Sequence, residues 1–330
     1  MTRLRQIALG GLAALAIGGA ASSALAEESG TFQNRLNGAT IGLPLGALPP
    51  PGLYTGLETV YLGMPSDAAN TGRAAGNQGH NNNPAIAQAV PLLYVPGWNF
   101  LGATYAMSVV QAFYNFETCG PGACSGAAPV LGGGFVYANT TWNPITLSWN
   151  LGGGWFVSAA FNFMAPDGTR QIGTPNPDYW TFEPALAISY LANNWVLSAN
   201  FFYDINTQSV GTCCAANANI TSGNALYGDL TAVYKFGKWE LGPVGYFEVQ
   251  TTSDSGTGCT AFPALCANYS TVAVGGLIGY DFGPVDMQLW VTDMIEGANT
   301  PAGVGSIEVW TRLGFRLWGA EAPKPLVAKN

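Results

Sequence analysis

The chain has 330 residues, of which only 9% are charged, while 48% are hydrophobic and 12% aromatic. An ordinary soluble domain carries roughly 25% charge, so a fully water-facing surface is excluded, and the wealth of aromatics excludes a disordered chain. A formal net charge of −8, with no basic run interleaved with aromatics, excludes a nucleic-acid partner.

The chain opens with an address. Arg3 and Arg5 precede the apolar stretch Ile7 to Ala21, and Ala24-Leu25-Ala26 forms an A-x-A cleavage site before Glu27 and Glu28. Residues 1–26 therefore read as a signal peptide. Residues 27–52 follow as a separate segment, in which Leu43-Pro44-Leu45-Gly46-Ala47-Leu48-Pro49-Pro50-Pro51-Gly52 is too rich in proline for a helix or a central strand. It is either a periplasmic lead or a plug folded into a lumen. His80, among Gly79, Asn81 and Asn82, is the one histidine and reads as a solvated loop residue. One imidazole assembles neither a histidine triad nor a multi-histidine metal site.

From residue 53 the pattern is alternation. Trp195, Leu197, Ala199, Phe201 and Tyr203 share one face of a strand, against Val196, Ser198, Asn200, Phe202 and Asp204 on the other. The last stretch sets Ile307, Val309, Leu313, Phe315 and Leu317 against Ser306, Glu308, Arg312 and Arg316. About twelve such stretches are long enough, at about 9–11 residues, to cross a bilayer as tilted strands. They are placed at 53–63, 86–95, 99–116, 136–150, 154–165, 179–191, 195–206, 225–236, 239–251, 269–282, 285–295 and 304–318. The links between them alternate. Tight ones near Pro96-Gly97-Trp98, Leu151-Gly152-Gly153, Ala192-Asn193-Asn194, Gly237-Lys238 and Gly283-Pro284 take turns with long, glycine-rich ones at 64–85, 117–135, 166–178, 207–224, 252–268 and 296–303.

In an up-and-down barrel successive links lie on opposite rims, so this alternation puts short turns on a periplasmic rim and long loops on an extracellular one. A closed sheet also pairs every backbone group without an edge, as hydrocarbon requires. The fold expected is all-β: a transmembrane up-and-down antiparallel barrel of outer-membrane type over 53–318, with a periplasmic tail at 319–330. The competing reading, a secreted soluble β-sandwich or lipocalin-like protein, accounts less well for the low charge and the outward rows of Trp, Phe, Leu and Val. Pro144, Pro184 and Pro243 fall inside proposed strands and call for bulges or strand ends.

Six cysteines lie in three of the long loops. Spacing favours Cys119–Cys124 and Cys259–Cys266 as disulfides, leaving adjacent Cys213 and Cys214 to bridge each other, pair elsewhere or stay reduced. No C-x-x-C pair supports a metal site, and no cofactor is implied.

Collinear blocks then resemble a known family, the outer-membrane proteins assigned to the meta pathway of phenol degradation. Leu48-Pro49-Pro50-Pro51-Gly52-Leu53-Tyr54 resembles its proline-rich opening, and Met164-Ala165-Pro166-Asp167-Gly168 the end of an apolar strand and the start of its loop. Tyr179-Trp180-Thr181-Phe182-Glu183-Pro184 with Ile188-Ser189-Tyr190-Leu191, then Tyr203-Asp204-Ile205-Asn206-Thr207, are similar to its next strands. Trp239-Glu240-Leu241-Gly242-Pro243-Val244-Gly245-Tyr246 and Asp254-Ser255-Gly256 continue the order, so the blocks span 48–256. The cysteine-bearing loops are not part of the family's pattern. The resemblance implies a transporter-like barrel in the outer membrane of a Gram-negative bacterium, associated with uptake of aromatic or other hydrophobic compounds.

By strand parity Glu58, Glu183, Asp204, Asp229, Lys235, Glu240, Glu248, Asp281, Asp286, Glu308, Arg312 and Arg316 face inward. An acidic lining favours cations or neutral solutes; alternatively the charges pair across a side-chain-filled lumen, with Glu58 and Asp286 neutralising Arg312 and Arg316. Phe156, Phe202, Tyr227, Tyr246 and Trp290 also point inward, to stack on a solute or to pack. Trp155, Trp195, Tyr203, Tyr234 and Trp239 face outward near strand ends as interfacial girdle residues. With His80 in a loop and no Gly-x-Ser-x-Gly near it, the chain does not read as an enzyme. Two functions remain: a monomeric channel, bathed in outer-membrane lipid, for small hydrophobic or aromatic compounds; or a plugged structural or interaction barrel presenting disulfide-pinned loops.

Overall fold

The computed structural model describes residues 34–64, 85–116, 136–169, 177–209, 220–261, 266, 268, 270–298 and 307–319. The signal peptide, His80, Cys119, Cys124, Cys213, Cys214 and the tail beyond Gly319 lie outside the described residues.

Twelve long strands form the wall: β1 (Gly52–Met64), β2 (Ala85–Val95), β3 (Ala103–Phe116), β4 (Thr141–Gly152), β5 (Trp155–Met164), β6 (Thr181–Ala192), β7 (Trp195–Asn206), β8 (Ala225–Phe236), β9 (Trp239–Gln250), β10 (Ser270–Asp281), β11 (Val285–Ala298) and β12 (Ile307–Gly319). Each pairs antiparallel with its chain neighbours, and β1 closes the sheet on β12 through partners such as Leu57↔Leu313 and Glu58↔Arg312. Two-residue strands at Asn99–Phe100 and Val136–Tyr137 add to the ends of β3. The expected stretches 99–116 and 136–150 are therefore each split, by a turn at Leu101-Gly102 and by residues 138–140, which belong to no strand. The turn between β6 and β7 shows why the short links are short. Asn193 and Asn194 both have positive φ (53° and 65°), the primed hairpin turn whose twist matches the flanking strands.

The alternation read from sequence separates two environments. Leu186, Ile188, Leu230, Val274 and Ile278 are exposed on the outside, where the wall meets lipid. Ser189, Ser198, Asn200, Asp229 and Thr231 are buried on the inside. Aromatic pairs flank the outer apolar belt at both rims. Trp155–Tyr190, Trp195–Tyr234 and Trp239–Tyr280 lie at the short-turn ends, with ring centroids 4.6–5.1 Å apart. Phe163–Trp180 and Phe161–Phe182 lie at the long-loop ends. The barrel is thus a transmembrane one of outer-membrane type.

The prolines behave in two ways. Pro144 sits in a bulge, where the β4–β5 register slips between Trp142 and Ile145. Pro184 and Pro243 do not need one. Each keeps its strand in register, with Pro184 paired to Phe161 and Pro243 to Gly276, so a strand can absorb a missing N–H without changing count.

Leu186 is 61% exposed at the middle of β6. On a lipid-facing surface, Leu186→Lys should cost about 2–4 kcal/mol at the midplane. Urea unfolding in lipid vesicles measures this, and a change within about 0.5 kcal/mol, normal for a water-facing position, would contradict a bilayer there.

Candidate functional site

The interior is occupied by the chain's own residues 34–51. Prolines and glycines keep this stretch out of strand or helix, so it forms turns, with Ile41 N–H donating to Gly38 O and Leu43 N–H to Thr40 O. Most of its other backbone groups have no partner within the segment, and a buried backbone group without a partner is costly. The wall supplies the partners. Gly38 N–H and Thr40 N–H donate to the two oxygens of Asp229 at 3.0 and 2.9 Å, Gly42 N–H to Thr231 Oγ1 at 2.8 Å and Gly46 N–H to Ser189 Oγ at 3.0 Å. In return Ser148 donates to Gly46 O, Ser158 to Leu45 O, and Asn200 to the carbonyls of Thr40 and Leu43. Gly42 has φ +81°, and a Cβ there would lie 2.7 Å from Gln288 Oε1 and 2.9 Å from Leu277, so the close approach also demands glycine.

Two arginines anchor the arrangement from opposite sides. Arg312 on β12 bonds Glu58 Oε1 through Nε at 2.7 Å and sends its other nitrogens to Ile41 O, Ala39 O and Gln288 Oε1. Arg35, in the segment, reaches both oxygens of Glu183 at 3.2 Å, lies 3.9 Å from Asp229 and stacks on Phe202 with its Cζ 3.2 Å from the ring centre. Asn34 meets Thr181 at the long-loop end of β6, and Arg316 donates to Pro51 O at the short-turn end of β12. The segment therefore runs the length of the lumen.

Of the residues placed inward by parity, Glu183, Asp204, Asp229, Glu248, Glu308 and Arg312 are buried together with Phe202, Tyr227, Tyr246 and Trp290. Asn37 donates to Glu248 Oε2 at 2.6 Å. Glu308 accepts from Tyr246, Thr292 and Trp310. Glu58 is half-buried in the middle of β1, and the others gather toward the short-turn mouth, where Lys235 lies 3.7 Å from Glu240, and Glu240 accepts from Gln288. Asp281, Asp286 and Arg316 are exposed there. The expected neutralisation of the two β12 arginines needs correcting. Glu58 does pair with Arg312, but Asp286 lies among Asp281, Lys235 and Glu240, while Arg316 lies over the Tyr54 ring. The acidic interior faces one segment cation, Arg35, which parity could not locate because it belongs to no strand. Its signal in the sequence is a lone arginine just ahead of a proline-rich run.

At the long-loop rim Cys259 and Cys266 form a disulfide, with Cα atoms 5.4 Å apart. Beside it, Asp254 Oδ1 accepts from Gly223 N–H at 2.7 Å and from Gln250 at 2.5 Å, while Oδ2 is buried without a hydrogen-bond partner among the described residues. Burial pushes the Asp254 carboxyl up to about 6 from an ordinary 3.8, against the two donors, which pull it down. The packed loop thus binds a proton more tightly than the open one. The resulting penalty is in force above about pH 6 and gone below about pH 4. Hydrogen exchange around 221–255, corrected for intrinsic rates, should slow as pH falls from 7 to 5 in the parent protein and show no such trend in Asp254→Asn.

The barrel is similar to the COG4313 outer membrane channel from Pseudomonas putida F1, with a TM-score of 0.65 at 12% identity over 82% of this chain and 97% of that one. It shares 11% identity with the CymD monoaromatic hydrocarbon channel (TM-score 0.42, 89% of this chain and 98% of that one). With the Ralstonia pickettii toluene transporter TbuX it also shares 11% (TM-score 0.35, 85% and 92%). The likeness to the Pseudomonas channel is one of fold. No curated protein matches by sequence. The family described as "Putative MetA-pathway of phenol degradation" matches residues 66–307, most of the chain, and the chain belongs to that family.

Proposed function

We propose that this protein is an outer-membrane channel for small hydrophobic, above all aromatic, compounds, and that residues 34–51 are its gate. The observation that carries the reading is how the segment is held. Its contacts with the wall include hydrogen bonds and ion pairs from Asp229, Thr231, Ser189, Asn200, Glu183 and Arg312. Water can replace such contacts at small net cost, since a protein hydrogen bond is worth only about 0.5–1.5 kcal/mol net. A wholly apolar plug would leave a greasy scar on withdrawal; here Leu36, Ala39, Ile41 and Leu45 supply apolar packing beside the polar contacts. The family's description supports an aromatic solute, as do the inward aromatics Phe202, Tyr227, Tyr246 and Trp290. The acids, partly matched by Arg35 and Arg312, disfavour anions.

The same occupied lumen also favours the second reading, a permanently plugged barrel with an outer surface pinned by Cys259–Cys266. The two readings differ in outcome. For a channel, proteoliposomes take up phenol faster than empty vesicles. Asp229→Ala, which removes the acceptor for Gly38 and Thr40 and the carboxylate 3.9 Å from Arg35, raises single-channel conductance several-fold by loosening the gate. Equal uptake with unaltered conductance would sink the channel reading and leave the plugged one.

A further inference from the structure

Trp290 on β11 is fully buried, facing inward, and an indole has one hydrogen-bonding group, its Nε1–H. Among the described residues that donor has no partner. Its neighbour Trp310 is different: the two rings lie parallel, 8° apart with centroids at 5.3 Å, yet Trp310 Nε1 donates to Glu308 Oε2 at 3.1 Å. Arg312 lies over the Trp290 ring, its Cζ 4.6 Å from the centre. The ring faces are thus engaged and the N–H edge is left over. An unpaired buried donor is costly, and a phenylalanine would stack without that cost.

Neither nearby charged group satisfies it. Arg312 has only donors, and the hydrogen bonds Glu308 accepts come from Tyr246, Thr292 and Trp310 instead. A lone water needs two to four polar partners, whereas Trp290 sits opposite Leu277 in the β10–β11 ladder and in one apolar cluster with Ile41. An apolar molecule with a single acceptor atom suits these surroundings better. The position along the path is also defined. Inward positions of β11 run from Gln288, which donates to Gly42 O of the segment, to Trp290 and then Thr292 toward the long loops. Trp290 thus lies level with the segment's turn at Ile41-Gly42, below Asn34 at the long-loop rim, and a solute descending from that side reaches it as this part of the segment moves aside.

We propose that Trp290 forms a recognition subsite beside the gate's turn at Ile41-Gly42, where its Nε1–H, once that turn moves aside, donates to one acceptor oxygen (a phenolic hydroxyl, ether or carbonyl) on an otherwise apolar solute. The subsite favours oxygenated aromatics over bare hydrocarbons. This rests on the channel reading for its purpose, although binding can be tested apart from transport.

The test uses full-length protein in detergent with 15N-labelled tryptophan indoles, titrated with phenol and separately with toluene. The indole signal missing from Trp290→Phe is that of Trp290. Phenol should shift it downfield in a saturable way, and toluene should not. In proteoliposomes Trp290→Phe should lower the ratio of phenol to toluene uptake by about 3- to 10-fold, the loss of one hydrogen bond. A Trp290 signal indifferent to phenol, or responding alike to both solutes, overturns the subsite. Should the variant fail to fold, the signal that phenol shifts and toluene leaves in place still decides the matter in the parent protein, and its absence overturns the proposal. If phenol shifts the signal but parent vesicles take up neither solute, the subsite stands and the channel reading falls.

Discussion

A polypeptide segment enclosed by a barrel wall must find a partner for its backbone N–H and C=O groups, and this constraint organises the interior. Residues 34–51 cannot pair with themselves beyond a few turns, because prolines remove donors and fix φ. Side chains from the wall meet many of the remaining groups: carboxylate and hydroxyls for the N–H groups of Gly38, Thr40, Gly42 and Gly46; guanidinium, amide and hydroxyls for the carbonyls of Ala39, Ile41, Leu43, Leu45 and Gly46. The polar residues of the inner face thus complement one stretch of chain as well as lining a space.

The outside obeys the same requirement by another route. Lipid offers no hydrogen bonds, so closure of β1 on β12 satisfies the ladder, and the outward side chains are free to be apolar. One period-two pattern therefore serves two media, with Leu186 against lipid and its neighbour Ala187 inward beside the buried polar residues of β6 and β7. Charge is concentrated inside and at the rims, which is why so small a charged fraction suffices. Glu183, Asp229 and Arg312 lie deep in the barrel, yet each has an opposite charge or a set of donors within reach. Buried charges of this kind persist only when paired.

Most of the fold was legible because a strand declares itself locally. Alternation through Trp195–Asp204, the Asn193-Asn194 turn and the contrast between short and long links follow from side-chain geometry that needs no distant partner. Parity likewise put Glu183, Asp229 and Glu308 on the face away from lipid. What parity could not supply was any partner from outside a strand. Arg35 and Asn37 sit in a segment without periodicity, and whether that segment led away from the barrel or entered it depended on complementarity between Asp229 and two backbone N–H groups, which no local pattern encodes. The mistaken partner for Arg316 has a similar origin. Strand order brings Asp286 near β12, but long side chains at a rim choose among water, Tyr54 and Pro51 O, a choice made in three dimensions. A lost donor looks disruptive in one dimension, so Pro184 and Pro243 call for bulges or strand ends; in the sheet each strand passes through in register.

The central claim is that residues 34–51 are lodged in the lumen by contacts strong enough to hold yet weak enough to release. Amide hydrogen exchange of that segment, followed by mass spectrometry on the full-length protein in lipid with and without phenol, tests it most directly. The account predicts exchange slower than in a free peptide but faster than in β6–β12, and acceleration when phenol is present while the strands stay protected. Free-peptide rates from the start, or rates as slow as the strands' and indifferent to the solute, would contradict it.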